Sequence, residues 1–120
     1  QELDNQNKEN KIVEKKIKDN IERIEPFEEE IGITLENISI NITDDFDRIT
    51  VLGEIISINQ EKNKENFTIY VNYYNKDNEI IKKDSEFIEQ FKGYDSFEIL
   101  TWSDSLNIKE VEKIRIFVKE

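Results

Sequence analysis

Apolar residues recur along this chain in two rhythms, and the change between them falls near residue 25. Val13, Ile17, Ile21 and Ile24 are spaced by four, four and three, with Lys and Glu between them. That period places them on one face and predicts an amphipathic helix over 11–25. Pro26 disfavours helical backbone at Glu25 and is expected to end it. A helix of about 14 residues is marginal alone in water. It must therefore pack on its own domain, on a partner, or on a copy of itself. The preceding "QELDNQNKEN" holds one Leu and no period, so residues 1–10 are expected to form a mobile tail.

After Pro26 the period becomes two. Ile33 and Leu35 share one parity while Ile38, Ile40 and Ile42 share the other, so a bulge is expected near Glu36–Asn37 if all are to face inward. Ile49, Val51 and Ile55 alternate with Leu52, Ile56 and Ile58, and Gly53 among them predicts a bend or a close backbone approach. In "FTIYVNYYNKDNEII", Phe67, Ile69, Val71 and Tyr73 take one face. The "NKDN" that follows has turn chemistry, and the last Ile pair starts the returning arm of a hairpin. "SEFIEQFKGYD" reads as a linker. Phe97, Ile99 and Thr101, then Ile114, Ile116 and Val118, complete the inward set. About six to seven strands with no helix among them exclude a parallel α/β fold. They predict an all-β antiparallel β-sandwich over 26–120 behind one short helix.

Three segments resemble the FxLYD-type immunoglobulin-like domains of bacterial surface proteins and lipoproteins: "VLGEIISIN" (51–59), "VNYYNKDNEII" (71–81) and "FKGYDSFEI" (91–99). Val71, Tyr73, Tyr74 and Asn75 stand where that family favours Phe, Leu, Tyr and Asp. Asn78 replaces its Gly and Lys92 its Pro. The resemblance implies an immunoglobulin-like sandwich, a secreted or cell-surface setting in a Gram-positive-type bacterium, and no catalytic machinery. It carries no shared active-site residue to transfer. A membrane attachment would come only through a segment absent from this chain.

Composition narrows the chemistry. The 120 residues include no His and no Cys, which removes Ser–His and Cys–His nucleophiles and His-ligated zinc. Gly occurs three times, scattered, so no phosphate-cradling loop is present. With 28 Asp and Glu, some carboxylate pair will always lie at glycosidase spacing, and such a pair carries no information. No enzyme and no cofactor are expected. A net charge of −11 disfavours nucleic acid and anionic lipid. Sequons at Asn37, Asn41 and Asn66 are what an Asn-rich chain produces by chance.

Two candidate sites emerge. Asp44, Asp45 and Asp47 in "TDDFD" are the densest acidic cluster beside a strand end, a weak calcium site or simply a solvated turn. Tyr70, Tyr74, Trp102 and Phe117 fall on the outward parity. They are either covered by the N-terminal helix or first strand, or they form a docking face for a protein or cell-envelope partner. The expected function is a non-catalytic binding or spacer module of a surface-anchored or secreted protein. The alternative is a soluble acidic protein that docks on, and inhibits or regulates, a basic partner.

Overall fold

The computed structural model describes residues 2–120, with side chains from Glu9 onward. The chain runs through α1 (Glu2–Asp19), β1 (Ile21–Arg23), α2 (Glu25–Glu30), β2 (Ile33–Ile42) and β3 (Arg48–Ser57). It continues with β4 (Phe67–Tyr74), β5 (Ile80–Ile88), β6 (Tyr94–Trp102) and β7 (Lys113–Lys119). One sheet has the order β1-β7-β4-β5 and the other β2-β3-β6. Every pairing is antiparallel except the short β1, which lies parallel to β7 with Ile21 opposite Ile114. This is the expected all-β, immunoglobulin-like sandwich behind a helix.

The inward parities are those the alternation predicts. Phe67, Ile69, Val71 and Tyr73 from one sheet meet Ile49, Val51, Ile55, Phe97 and Ile99 from the other, all buried. The bulge in β2 is present: its register with β3 shifts between Glu36 and Ser39, and Asn37 takes a positive φ of 53°. That extra residue lets Ile33, Leu35, Ile40 and Ile42 all face the core. Gly53 is the close approach. It lies opposite Phe97, and a Cβ there would come 2.5 Å from the ring. In the hairpin turn, Asn75 Oδ1 accepts the N–H groups of Asp77 and Glu79, both at 3.0 Å, and Asn78 takes φ 63°. The expected linker at 85–95 is largely strand, because β5 continues to Ile88 and β6 begins at Tyr94.

The N-terminal boundaries differ from expectation. Residues 2–10 are helical rather than a mobile tail, and the helix ends at Asp19 rather than at Pro26. Asn20 ends it, donating from Nδ2 to the Lys16 carbonyl at 2.8 Å and from its backbone N–H to Ile17 at 3.0 Å. Ile21, expected on the helical face, instead pairs along β7. The free edge of β7 outcompetes a further helical turn for Ile21–Arg23. Pro26 opens α2, at the helix start where a missing N–H costs nothing.

The helix α1 docks on its own domain. Ile17 is fully buried, and two polar side chains one turn apart clasp the end of β2. Asn10 Nδ2 donates to the Ile42 carbonyl at 2.8 Å while Glu14 Oε2 accepts the Ile42 N–H at 2.8 Å. Together they stand in for a neighbouring strand. Similar devices close other edges. Glu28, itself buried, accepts the Leu35 N–H at 3.0 Å, and Glu86 accepts the Glu98 N–H at 2.8 Å where β5 and β6 stand side by side. Sheet edges that would otherwise invite another strand are met by carboxylates.

Candidate interaction surface

The four aromatics singled out by parity do not lie together. Tyr70, Tyr74 and Phe117 are on the outer face of the four-stranded sheet, whereas Trp102 lies on the outer face of the other sheet. Parity along a strand tells inside from outside. It does not tell which of two outsides a residue occupies.

On the four-stranded face, packing buries Tyr74 and half-buries Tyr70 and Phe117, while Phe87 of β5, opposite Thr68, stays 58% exposed. Tyr70 and Phe117 are directly opposite in register and stack at 5.1 Å with 15° between their planes, and Phe27 of α2 meets Phe117 edge-on at 6.3 Å. Tyr74 is only 4% exposed, with Lys113 Nζ 5.0 Å and the Arg115 guanidinium 5.2 Å from its ring centre. Both cations also bind Glu22 of β1: Lys113 at 3.0 Å, Arg115 at 3.0 and 2.7 Å. Hydrogen bonds from Arg115, then from Lys113, hold the Glu22 carboxyl below its usual range. What the structure places against these rings is Phe27 of α2, on Phe117, and at Tyr74 the two cations that Glu22 of β1 holds.

On the three-stranded face Trp102 and Tyr94 are exposed, and Leu52, Ile56 and Leu100 between them are half-buried. Trp102 is 47% exposed, with Arg48 5.3 Å from its ring centre. Leu100 and Leu52 lie diagonally across β6 and β3, and Ile56 is opposite Tyr94, which is 59% exposed. Glu54 and Glu98 stand between these groups, and Glu36 is opposite Glu54 on β2. The Tyr94 hydroxyl donates to Glu54 at 2.5 Å and Asn37 Nδ2 bonds the other oxygen, which together hold this carboxyl below its usual range. Leu52, Ile56, Tyr94 and Leu100 were not among the sequence candidates. The signal was available, since Leu52 and Ile56 have the outward parity of β3.

No protein-family model matches the chain, and no curated protein does. Solved structures do. A glycosyl hydrolase family 2 member from Bacteroides cellulosilyticus DSM 14838 is similar over 72% of this chain and 15% of its own, at 11% identity and a TM-score of 0.41. A second family 2 structure from Bacteroides cellulosilyticus is similar over 74% of this chain and 13% of its own, at 10% identity and a TM-score of 0.37. The chain thus spans a small fraction of the length of these proteins, and its architecture rests on the strand pairing described above.

The acidic cluster lies in the turn between β2 and β3. The Asp45 carboxylate accepts the Asp47 N–H at 3.1 Å, Asp47 accepts the Ser103 hydroxyl at 3.4 Å, and Asp44 accepts from Asn10 at 3.3 Å. Thr43 Oγ1 takes the N–H groups of Asp47 and Arg48. The three carboxylates are thus directed to different partners, and among the described residues no group of acidic side chains converges to hold a metal ion. Two polar clefts lie around the hairpin turn, lined by Asn20, Asn75, Lys76, Glu112 and Lys113 among others, and a shallow apolar one lies beside α1, lined by Ile12, Val13 and Phe46 with Glu9 and Lys109. No helix among the described residues is long and apolar enough to cross a membrane.

The Tyr73 hydroxyl is a buried polar group inside the sandwich. It meets Thr101 Oγ1 at 2.9 Å, and Thr101 donates to Asp84 at 2.8 Å. Burial pushes the Tyr73 phenol up to about 12, so it is a proton donor that stays protonated at neutral pH. Its place is between the sheets, tying β4 to β6 and, through Asp84, to β5.

Proposed function

We propose that this chain is a non-catalytic immunoglobulin-like module that works through protein contacts on a sheet face. Its setting would be a bacterial surface-anchored or secreted protein of the FxLYD type. The observation that carries the reading is the strip formed by exposed Trp102 and Tyr94 with half-buried Leu100, Leu52 and Ile56 between them, on a highly charged molecule. Tyr and Trp at the two ends of such a strip bring contact area at little entropic cost. The resemblance in residues 51–59, 71–81 and 91–99 supports the envelope setting, and the lack of His and Cys supports the absence of catalysis.

Capture of a partner from native cell envelope by the tagged, folded chain tests this. A saturable partner, retained by the native chain and lost when it is heat-unfolded, is the expected result. Retention of nothing, or turnover of a glycoside by the purified chain, would remove the reading.

A further inference from the structure

We infer that the outer face of the three-stranded sheet docks a basic polypeptide, with Trp102, Leu100 and Leu52 as the apolar centre and Glu36, Glu54 and Glu98 as the charged contacts. This rests on the proposed function and adds the chemistry of the partner. The strip runs from Trp102 to Tyr94, about 27 Å at the usual rise of a strand. Its outer strands lie about 10 Å apart. That is smaller than the roughly 800 Å² per partner of a stable complex, so a weak, reversible contact is expected.

Charge selects the partner. Three carboxylates border the strip against two cations, both already engaged: Arg48 over the Trp102 ring, and Arg23, near Glu36, in its pair with Glu28. Glu54 is held ionised by its hydrogen bonds. Behind the face stands a chain of net charge −11, whose field draws cationic surfaces towards it and repels anionic ones. A second copy also offers cations, on its four-stranded face, through Lys83, Lys113, Arg115 and Lys119. Two of these are engaged by Glu22, and a copy would bring −11 against −11. A foreign basic polypeptide is therefore the better occupant.

The single tryptophan lies in the strip and reports on it. The whole chain is titrated with a twelve-residue peptide alternating lysine and valine, and separately with its glutamate–valine counterpart, following Trp102 emission. The lysine peptide should shift the emission saturably, and added salt should weaken it. Either Leu100→Ser or the pair Glu54→Gln and Glu98→Gln should weaken it about tenfold. Should Leu100→Ser unfold the chain, the Gln pair carries the test, since those carboxylates lie on the surface. Equal binding by the variants would mean attraction to net charge, or addition to a free sheet edge, and would overturn the proposal. So would equal binding of the glutamate peptide, no binding at all, or an emission shift on concentrating the protein alone, which would indicate a second copy. A module that captures an envelope partner yet ignores the lysine peptide keeps the proposed function and loses this inference.

Discussion

Arg23 and Glu28 form an ion pair at the junction of both sheets: the guanidinium of β1 reaches the carboxylate of α2 at 2.5 and 3.1 Å. Glu28 is buried and Arg23 about a quarter exposed. The same carboxylate accepts the Leu35 N–H on β2, so one acidic side chain joins three elements.

Removing one partner should cost far more than removing both. Arg23→Ala leaves Glu28 buried without its cation and is expected to lose about 3 kcal/mol. Arg23→Met with Glu28→Leu removes both charges, leaves only the Leu35 N–H without its acceptor, and should lose less than the single change. Urea unfolding of the three proteins measures the difference, and a double variant less stable than Arg23→Ala would contradict it.

Docking of α1 rests on Asn10, Glu14 and Ile17. Ile17→Ala should cost about 2–5 kcal/mol by opening a cavity under the helix. Glu14→Ala should cost about 1–3 kcal/mol because the Ile42 N–H loses its acceptor. Hydrogen exchange is the direct measurement: the Ile42 amide should exchange faster in Glu14→Ala while the amide of Val71, in the centre of the other sheet, keeps its protection.

At Gly53 the absence of a side chain is a packing requirement. Ala places a methyl against the Phe97 ring, an overpacking expected to cost about 1–3 kcal/mol. The strain should fall when the ring is removed, so Gly53→Ala and Phe97→Leu together should lose less than their separate losses added. Additive losses in a double-mutant cycle would show that the ring can move aside.

These residues also show what the sequence discloses. Alternation identified the inward side chains of β3, β4, β6 and β7, and the parity break in β2 located its bulge, because burial on one face acts residue by residue within a strand. The site was less legible. Tyr70 and Trp102 have equivalent local patterns, and what separates them is strand order, a long-range property that no window of sequence contains. The helix boundary failed for a related reason. Ile21 fits a helical face, but Ile114, 93 positions away, offers it a strand partner. Asn10 was unreadable because its role depends on the Ile42 carbonyl, far along the chain.

Tyr73 should make stability fall at high pH. Its folded value is raised to about 12 against an ordinary 10, so the folded state holds its proton after the unfolded chain has lost it. The contribution is therefore fully present below pH 10 and lost as pH rises towards 12, about 2–3 kcal/mol at 1.36 kcal/mol per unit. Tyr73→Phe should cost about 1 kcal/mol at pH 8, from the lost bond to Thr101, and flatten the fall between pH 10 and 12. Urea midpoints at pH 8, 10 and 11.5 for both proteins check it.

Tyr74 and Trp102 are both aromatic, both of outward parity, and both near a cation, yet one is buried and the other exposed. Tyr74 is 4% exposed beneath Lys113 and Arg115, so Tyr74→Ser removes buried area and leaves two cations without their ring. Loss of a buried aromatic side chain costs about 3–5 kcal/mol. Trp102 is 47% exposed at the end of β6, and Trp102→Ser should cost under about 1 kcal/mol, most of it from the Arg48 contact. Thermal unfolding should therefore show a large fall in midpoint for Tyr74→Ser and a small one for Trp102→Ser. Partner capture should show the reverse, retained by whatever Tyr74→Ser protein stays folded and lost from Trp102→Ser. A Trp102 variant that unfolds as readily as the Tyr74 variant would make Trp102 part of the framework and remove the centre of the proposed contact.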